Sequence, residues 1–392
     1  MDIKFEELLI EKAKQNISSK TTSLKGEVHK VDVSRYTDQK LFKKEIKQIF
    51  NKRPTVLLHS SEVENLNSYQ TVETTMGSLI VSRDSDGQVH VFRNSCRHRG
   101  AKVVEGKGCS KRIVCPYHAW SYSTDGKLSN VPGQQHCFPN IEKSENGLIE
   151  IPCIEKFGFI WVCPNKELNS SLDTHLDEHL GDMREQLNWI EANNLKLFKR
   201  TCQVRKANWK LLAEGGLETY HFSFAHKNTI APFFHNNTAV IDQISSHFRV
   251  FMPTKILDGS MKPEHQPLSI HDCSHMLYYL TPNMGLLVQR EHVDLIQFRP
   301  LTVDETEISV SSLIPKNADL DNPQQLSHWQ KNLDITNQTL DEDWVLGESI
   351  HDSMISEALP YIQYGKNEWA LHEFNAVLQT MLGESDSERE NK

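Results

Sequence analysis

A chain of 392 residues, 38% hydrophobic and 24% charged, has room for a sizeable core and for two or three domains. Its net charge of -9 lacks the basic balance expected of a nucleic-acid binder. The longest apolar run, Phe157 to Cys163, is far short of the roughly 18 residues of a membrane span, and the charged opening MDIKFEELLIEKAKQN is unlike a signal peptide.

The expected setting is therefore cytoplasmic, with no membrane and no nucleic acid as partner. There the eight cysteines read as thiols or metal ligands, not as a disulfide framework.

Residues 1–50 carry helical spacing, at Phe5, Leu8, Leu9 and Ala13 and again at Leu41, Ile46, Ile49 and Phe50. From about 54 to 165 short β-type runs take over. SLIVSR (78–83), Asp86-Gly87 and QVHVFR (88–93) spell a hairpin, and Trp120–Ser123, Asp125-Gly126 and Lys127-Leu128 spell another. After Asn165 the stripe Leu172, Leu176, Leu180, Met183, Leu187, Ile190 predicts a buried helical face. Residues 200–226 include a further helix, and 238–314 alternate in β-like runs such as MLYYL (276–280). Residues 323–382 are mostly helical and closed by Gly383. The polar tail 384–392 reads as disordered. The predicted class is α+β: a small all-β domain, then helices with an antiparallel sheet.

Two loops carry matched pairs of metal-binding side chains: Cys96-Arg-His98-Arg-Gly100 and, after a gap of sixteen residues from His98, Cys115-Pro-Tyr-His118-Ala-Trp120. Two imidazoles replacing two thiolates on one iron is the Rieske [2Fe–2S] arrangement. Gly100 and Pro116 suit tight loops wrapped around such a cluster. A structural zinc site is the alternative, since the same donors suit tetrahedral zinc. Zinc fingers, however, present a cysteine pair followed by a histidine pair, not two mixed loops. The remaining six cysteines show no pairing and read as ordinary small buried residues.

Farther on, Asn208-Trp-Lys-Leu-Leu-Ala-Glu214-Gly-Gly-Leu-Glu218-Thr-Tyr-His221 is followed by His226. On a helix Glu218 and His221 would share a face, whereas His226 joins them only across a helix end or bulge. Two histidines and one carboxylate with open positions opposite form the facial triad of non-haem Fe(II) oxygenases. His175 and His179 also lie four apart, but lack a third ligand and read as the polar face of a helix. Phe222, Phe224, Phe233 and Phe234 read as core, with pocket lining as the alternative. No G-x-G-x-x-G fingerprint for a nucleotide stands in a strand–helix context.

The CxH-x16-CxxH spacing resembles the Rieske signature. The stretch Asn208 to His226, continuing as Lys227-Asn-Thr-Ile-Ala-Pro-Phe-Phe234, resembles the iron site of the α subunits of ring-hydroxylating oxygenases. The resemblance implies an all-β Rieske domain plus a helix-grip catalytic domain. It implies Cys96, His98, Cys115 and His118 as cluster ligands, His221 and His226 as iron ligands, and Glu218 as the acid connecting the two metal centres. The third iron ligand lies by resemblance in TLDEDWVLGES (339–349), at Asp343, with Asp341 as the alternative. Gly215-Gly216 departs from the family, which often has Asn after the acid at Glu214. Two glycines inside a helix cost about 1 kcal/mol each and suggest a kink.

The implied boundaries are a helical segment 1–50 packed on the catalytic domain, the Rieske domain 51–165, the mononuclear iron domain 166–383 and the tail. The implied activity is oxygenation of a small organic substrate, aromatic or an aliphatic natural-product intermediate, with O2, one [2Fe–2S] cluster and one Fe(II). Electrons would come from a ferredoxin or flavin reductase, so NAD(P)H serves only indirectly. A homotrimer is expected, with electrons passing between neighbouring subunits across a Glu218–His118 link. Two alternatives are a Rieske electron carrier without oxygenase activity and a zinc-stabilised binding module.

Overall fold

The Asp86-Gly87 pair turns the chain between strands Gly77–Arg83 and Val89–Arg93, which run antiparallel with Leu79 opposite Arg93. Gly87 takes φ +84, a backbone region open to glycine at no steric cost. A second turn at Asp125-Gly126 joins Ser121–Ser123 to Leu128–Asn130. The computed structural model describes residues 3–164, 171–263 and 269–383. The expected disordered tail, 384–392, lies outside the described residues. No helix among them is long and apolar enough to cross a membrane.

The chain divides into two compact units, residues 50–179 and residues 1–49 with 180–392. The first unit contains three small antiparallel sheets. A buried cluster packs Ile80, Phe92, Trp120 and Tyr122 together with Cys96 and Cys115. The helix Leu172–Leu180 begins in this unit, although the sequence placed a boundary after Asn165. Lys156 accounts for the difference: its Nζ lies 2.6 Å from Asp173 and 2.7 Å from Asp177, tying that helix to the hairpin 153–162.

The second unit is built on a seven-stranded antiparallel sheet. Its spatial order runs Leu195–Arg205, Thr306–Pro315, Val293–Pro300, Met284–Val288, Ser274–Leu280, His247–Pro253, Val240–Ile244. A 33-residue helix, Pro323–Ile355, contacts the Leu195–Arg205 and Thr306–Pro315 strands. Asn322 caps its start by accepting from the N–H groups of Gln324 and Gln325, and Pro323 at the first position sacrifices no hydrogen bond.

Two sequence readings are corrected here. The segment 1–50 is not wholly helical, because His29–Asp32 pairs antiparallel with Tyr361–Tyr364. A four-residue strand whose partner lies at the far end of the chain leaves no local periodic trace. The leucine stripe from Leu172 to Ile190 is split between two helices, Leu172–Leu180 and Met183–Ile190. Gly181 breaks it at φ +53, where a Cβ would collide with Ser245.

Candidate metal centres and cavity

The loops bearing Cys96 and Cys115 are built alike. Cys96 N–H donates to Ala101 O and Cys115 N–H to Trp120 O, each at 2.8 Å. The cysteine carbonyls accept from Gly100 N–H at 2.9 Å and Ala119 N–H at 3.0 Å. Both loops close through a left-handed residue, Gly100 at φ +79 and Ala119 at φ +55. The glycine was legible from sequence, whereas the alanine bears the cost that a Cβ brings in this region.

This scaffold sorts the four side chains. Cys96 and Cys115 are buried, His98 is half-buried and His118 exposed, with the imidazole centroids 4.6 Å apart. Burial pushes the Cys115 thiol up, the opposite of what a free thiolate needs and what bound iron would reverse. His98 Nδ1 is buried without a hydrogen-bond partner. A buried ring nitrogen without a partner and two inward thiols fit a group ligated by thiolates inside and imidazoles outside. Tyr122 was not singled out from sequence. Its hydroxyl lies 3.3 Å from Cys96 Sγ and accepts from Arg97 N–H at 2.9 Å, so it is free to donate to the sulfur.

The second site grows from Asn208, which caps the helix Trp209–Glu214 by accepting from Lys210 N–H at 3.1 Å. That helix ends before the acid. Gly215–Leu217 forms a single tighter turn and Glu218 is extended, at φ -143 and ψ 167. Glu218 and His221 therefore do not share a helical face, and the glycines end the helix instead of kinking it. Gly216 has a packing reason as well, since a Cβ there would lie 2.8 Å from Leu277. His221 and His226 bracket the one-turn helix Phe222–Ala225.

Their Nε2 atoms stand 3.1 Å apart, and Asp343 Oδ1, from the long helix, lies 3.0 Å from His226 Nε2 and 3.3 Å from His221 Nε2. Both Nδ1 atoms face carboxylates. Glu218 Oε1 meets His221 Nδ1, and Glu342 Oε2 lies 2.9 Å from His226 Nδ1. A carboxylate only accepts, so each ring carries its proton on Nδ1 and turns an Nε2 lone pair inward. Two such lone pairs and a carboxylate oxygen then converge on one point, a donor set that suits a cation. Burial alone would lower the histidine pKa values, but the neighbouring carboxylates outweigh it and raise both.

Asp341, the alternative ligand, is turned away to Arg205, which also approaches Glu348. Glu342 was missed from sequence, because only the fold shows that it meets His226. Glu368 was missed too. Burial raises its carboxyl pKa, and the charge of nearby Glu218 adds to this.

Beside the triad opens a cavity of about 510 Å³, lined by His221, His226, Asp343 and a mostly apolar wall. Phe222, Phe233 and Phe234 line it, while Phe224 is 76% exposed, so these aromatics are not simply core. Among the described residues, His175 and His179 belong to no group of metal-binding side chains.

Residues 185–384 match the model of the ring hydroxylating alpha subunit, catalytic domain, and residues 53–152 match the Rieske [2Fe-2S] domain. The chain belongs to the ring-hydroxylating oxygenase α-subunit family. Such α subunits use a Rieske cluster and a mononuclear iron, and the two donor sets above fit these groups.

Among relatives, the large subunit of anthranilate 1,2-dioxygenase from Acinetobacter baylyi is 31% identical over 228 residues, 56% of this chain and 48% of that one. The carnitine monooxygenase oxygenase subunit of Escherichia coli is 32% identical over 194 residues, 49% of this chain and 50% of that one. The matched stretch thus spans about half the length of these relatives. The naphthalene 1,2-dioxygenase of Rhodococcus sp., solved bound to indole, superposes with TM-score 0.76 at 20% identity, covering 98% of this chain and 99% of that one. The quaternary ammonium Rieske monooxygenase CntA, solved with an inhibitor, gives the same score and identity over 91% and 96%. These two likenesses concern the fold.

Proposed function

We propose that this α subunit is an oxygenase component that hydroxylates a small organic molecule at a mononuclear Fe(II), with electrons delivered through its Rieske cluster. One observation carries the reading: two Nε2 lone pairs and the Asp343 carboxylate converge at the wall of an apolar cavity. Cys96, His98, Cys115 and His118 would hold the cluster, and His221, His226 and Asp343 the iron. When bound, the iron would supply the site of O2 activation and the cluster a stored electron.

The chain's own side chains do the remainder. Glu218 and Glu342 fix the two imidazoles as inward-facing ligands, and the aliphatic and phenylalanine wall excludes water from the substrate. The exposed edge of His118 suits electron entry or exit, and Glu218 is proposed to accept a hydrogen bond from it on a neighbouring subunit of a homotrimer, bridging it to His221. A ferredoxin or flavin reductase is the proposed donor. An electron carrier alone would have no use for the triad or the cavity. The HKNTIAPFF stretch resembles hydroxylases with a single type of subunit, which supports the homotrimer, and monooxygenation is proposed ahead of cis-dihydroxylation.

The test is O2 uptake by the iron-loaded protein with a surrogate reductase, over a panel of apolar substrates. Labelled O2 entering a product as one atom supports monooxygenation, and as two atoms cis-dihydroxylation. No substrate-dependent uptake across the panel contradicts the oxygenase reading.

A further inference from the structure

The cavity extends from the metal-binding triad along the long helix, where Asn332 and Thr336 line it together with Gln289 and His292. Asp343 stands at the triad. Thr336, also lining the cavity, precedes it by seven residues on the same helix, about 10 Å along the axis. At that level lies Asp294, fully buried, whose Oδ2 is 2.7 Å from Gln289 Nε2, 3.0 Å from Thr336 Oγ1 and 3.3 Å from His292 Nε2.

A carboxylate oxygen cannot donate, so Gln289 must present its NH2 group here, since the reversed amide would set two oxygens against each other. The nitrogen of Gln289 is thereby spent, also standing 3.1 Å from Thr336 Oγ1 and 3.0 Å from His292 Nε2. Its carbonyl Oε1 accepts nothing from the described residues. Gln289 lines the cavity, so the polar atom it has left for a ligand is an acceptor.

His275 supplies a second polar contact on the same cavity. Its ring packs edge-on against Phe234, 5.0 Å between centroids, and it has no hydrogen-bond partner among the described residues. Burial lowers its pKa to about 4, with His292 adding to the effect, so the ring is neutral and can donate or accept without bringing a charge.

We propose that Gln289 Oε1, oriented by Asp294, recognises a hydrogen-bond donor such as a hydroxyl on an elongated, otherwise apolar substrate, and holds that group about 10 Å from the carbon presented to the triad. His275 serves as the second polar contact. Asp294 Oδ2 already accepts from Gln289 and Thr336, and a buried negative charge behind Gln289 disfavours a carboxylate ligand. This selectivity rests on the oxygenase reading for its chemistry but can be measured by binding alone.

The test is titration calorimetry of the purified full chain with octanol, heptyl methyl ether and octanoate, three probes of similar length that differ in their heads. Octanol is expected to bind about tenfold tighter than the ether, which lacks the donor, and tighter than octanoate. Gln289→Leu removes that preference. Asp294→Asn keeps Gln289 but frees its amide to turn, and weakens the preference with little change in ether binding, which a merely structural role would not produce. Equal binding of the three probes overturns the inference, as does tightest binding of octanoate or a preference retained in both variants. O2 uptake separates the two readings. Uptake without a donor preference sinks this inference alone, and a donor preference without uptake on any substrate sinks the oxygenase reading alone.

Discussion

Glu342 Oε2 lies 2.9 Å from His226 Nδ1, on the ring edge opposite the one that Asp343, the next residue, meets at 3.0 Å. Two consecutive residues of one helix thus hold the two edges of one imidazole, and Glu342 also accepts from Thr229 Oγ1 at 2.6 Å. Glu342→Ala is expected to leave the fold intact and weaken iron binding by about 10–100-fold. Competition against a chelator of known affinity checks this, and unchanged affinity would remove the orienting role.

The neighbouring acids separate by the same reasoning. Asp343→Ala removes one of three converging donors and should abolish retention of the mononuclear iron through desalting. Asp341→Ala frees Arg205 at a partly exposed surface, an ion pair worth only about 0–1 kcal/mol, and should retain the iron. Metal analysis of the two variants would expose a wrong assignment if their results were exchanged.

Glu218 contacts His221 from the side away from the proposed metal position. Glu218→Gln should keep both metals yet slow re-oxidation of the reduced cluster, on the order of a hundredfold, because an outer carboxylate both orients its imidazole and raises its basicity. Stopped-flow absorbance measures that rate. A rate equal to the wild type would dismiss the bridge.

Tyr122 is placed to donate to Cys96 Sγ at 3.3 Å. Hydrogen bonds to cluster sulfurs stabilise the more negative, reduced state and raise the potential. Tyr122→Phe should therefore keep the cluster and lower its midpoint by roughly tens of millivolts. Protein-film voltammetry reads the shift, and an increase would contradict the assigned direction of the bond.

Much of this was legible in the chain because local rules carried it. Asp-Gly turns fix two hairpins within a few residues, and the paired cysteine–histidine loops need only short-range spacing. His221 and His226 could be named as a pair, but the turn that joins them could not, since Glu218 leaves the helix at a point set by tertiary packing around Gly216 and Leu277. Glu342 and Tyr122 were hidden for another reason. Each acts on a residue far away in sequence, and an acid in an acidic helix or a tyrosine in a strand has no signature of its own. The pairing of His29–Asp32 with Tyr361–Tyr364 was hidden likewise.

Glu214 provides a prediction of stability. Burial pushes its carboxyl up to about 7, against hydrogen bonds from Asn375, Tyr364 and Tyr36. The raised value means the fold favours the protonated acid. Its stabilising share is complete below the ordinary glutamate range and is lost as pH rises through about 7. Glu214→Gln, neutral at every pH, should flatten the fall in thermal midpoint that the wild type shows between about pH 5 and 8. Parallel profiles for the two proteins would place the charge elsewhere.

The most direct test of the account is the iron and acid-labile sulfide content of the full chain, produced with ample iron and sulfide, beside its His221→Ala/His226→Ala variant. Two centres of different kind predict about three iron atoms and two sulfides per chain, falling to about two irons with sulfide unchanged in the variant. Colourless protein holding only zinc, or a variant that loses no iron, would contradict it.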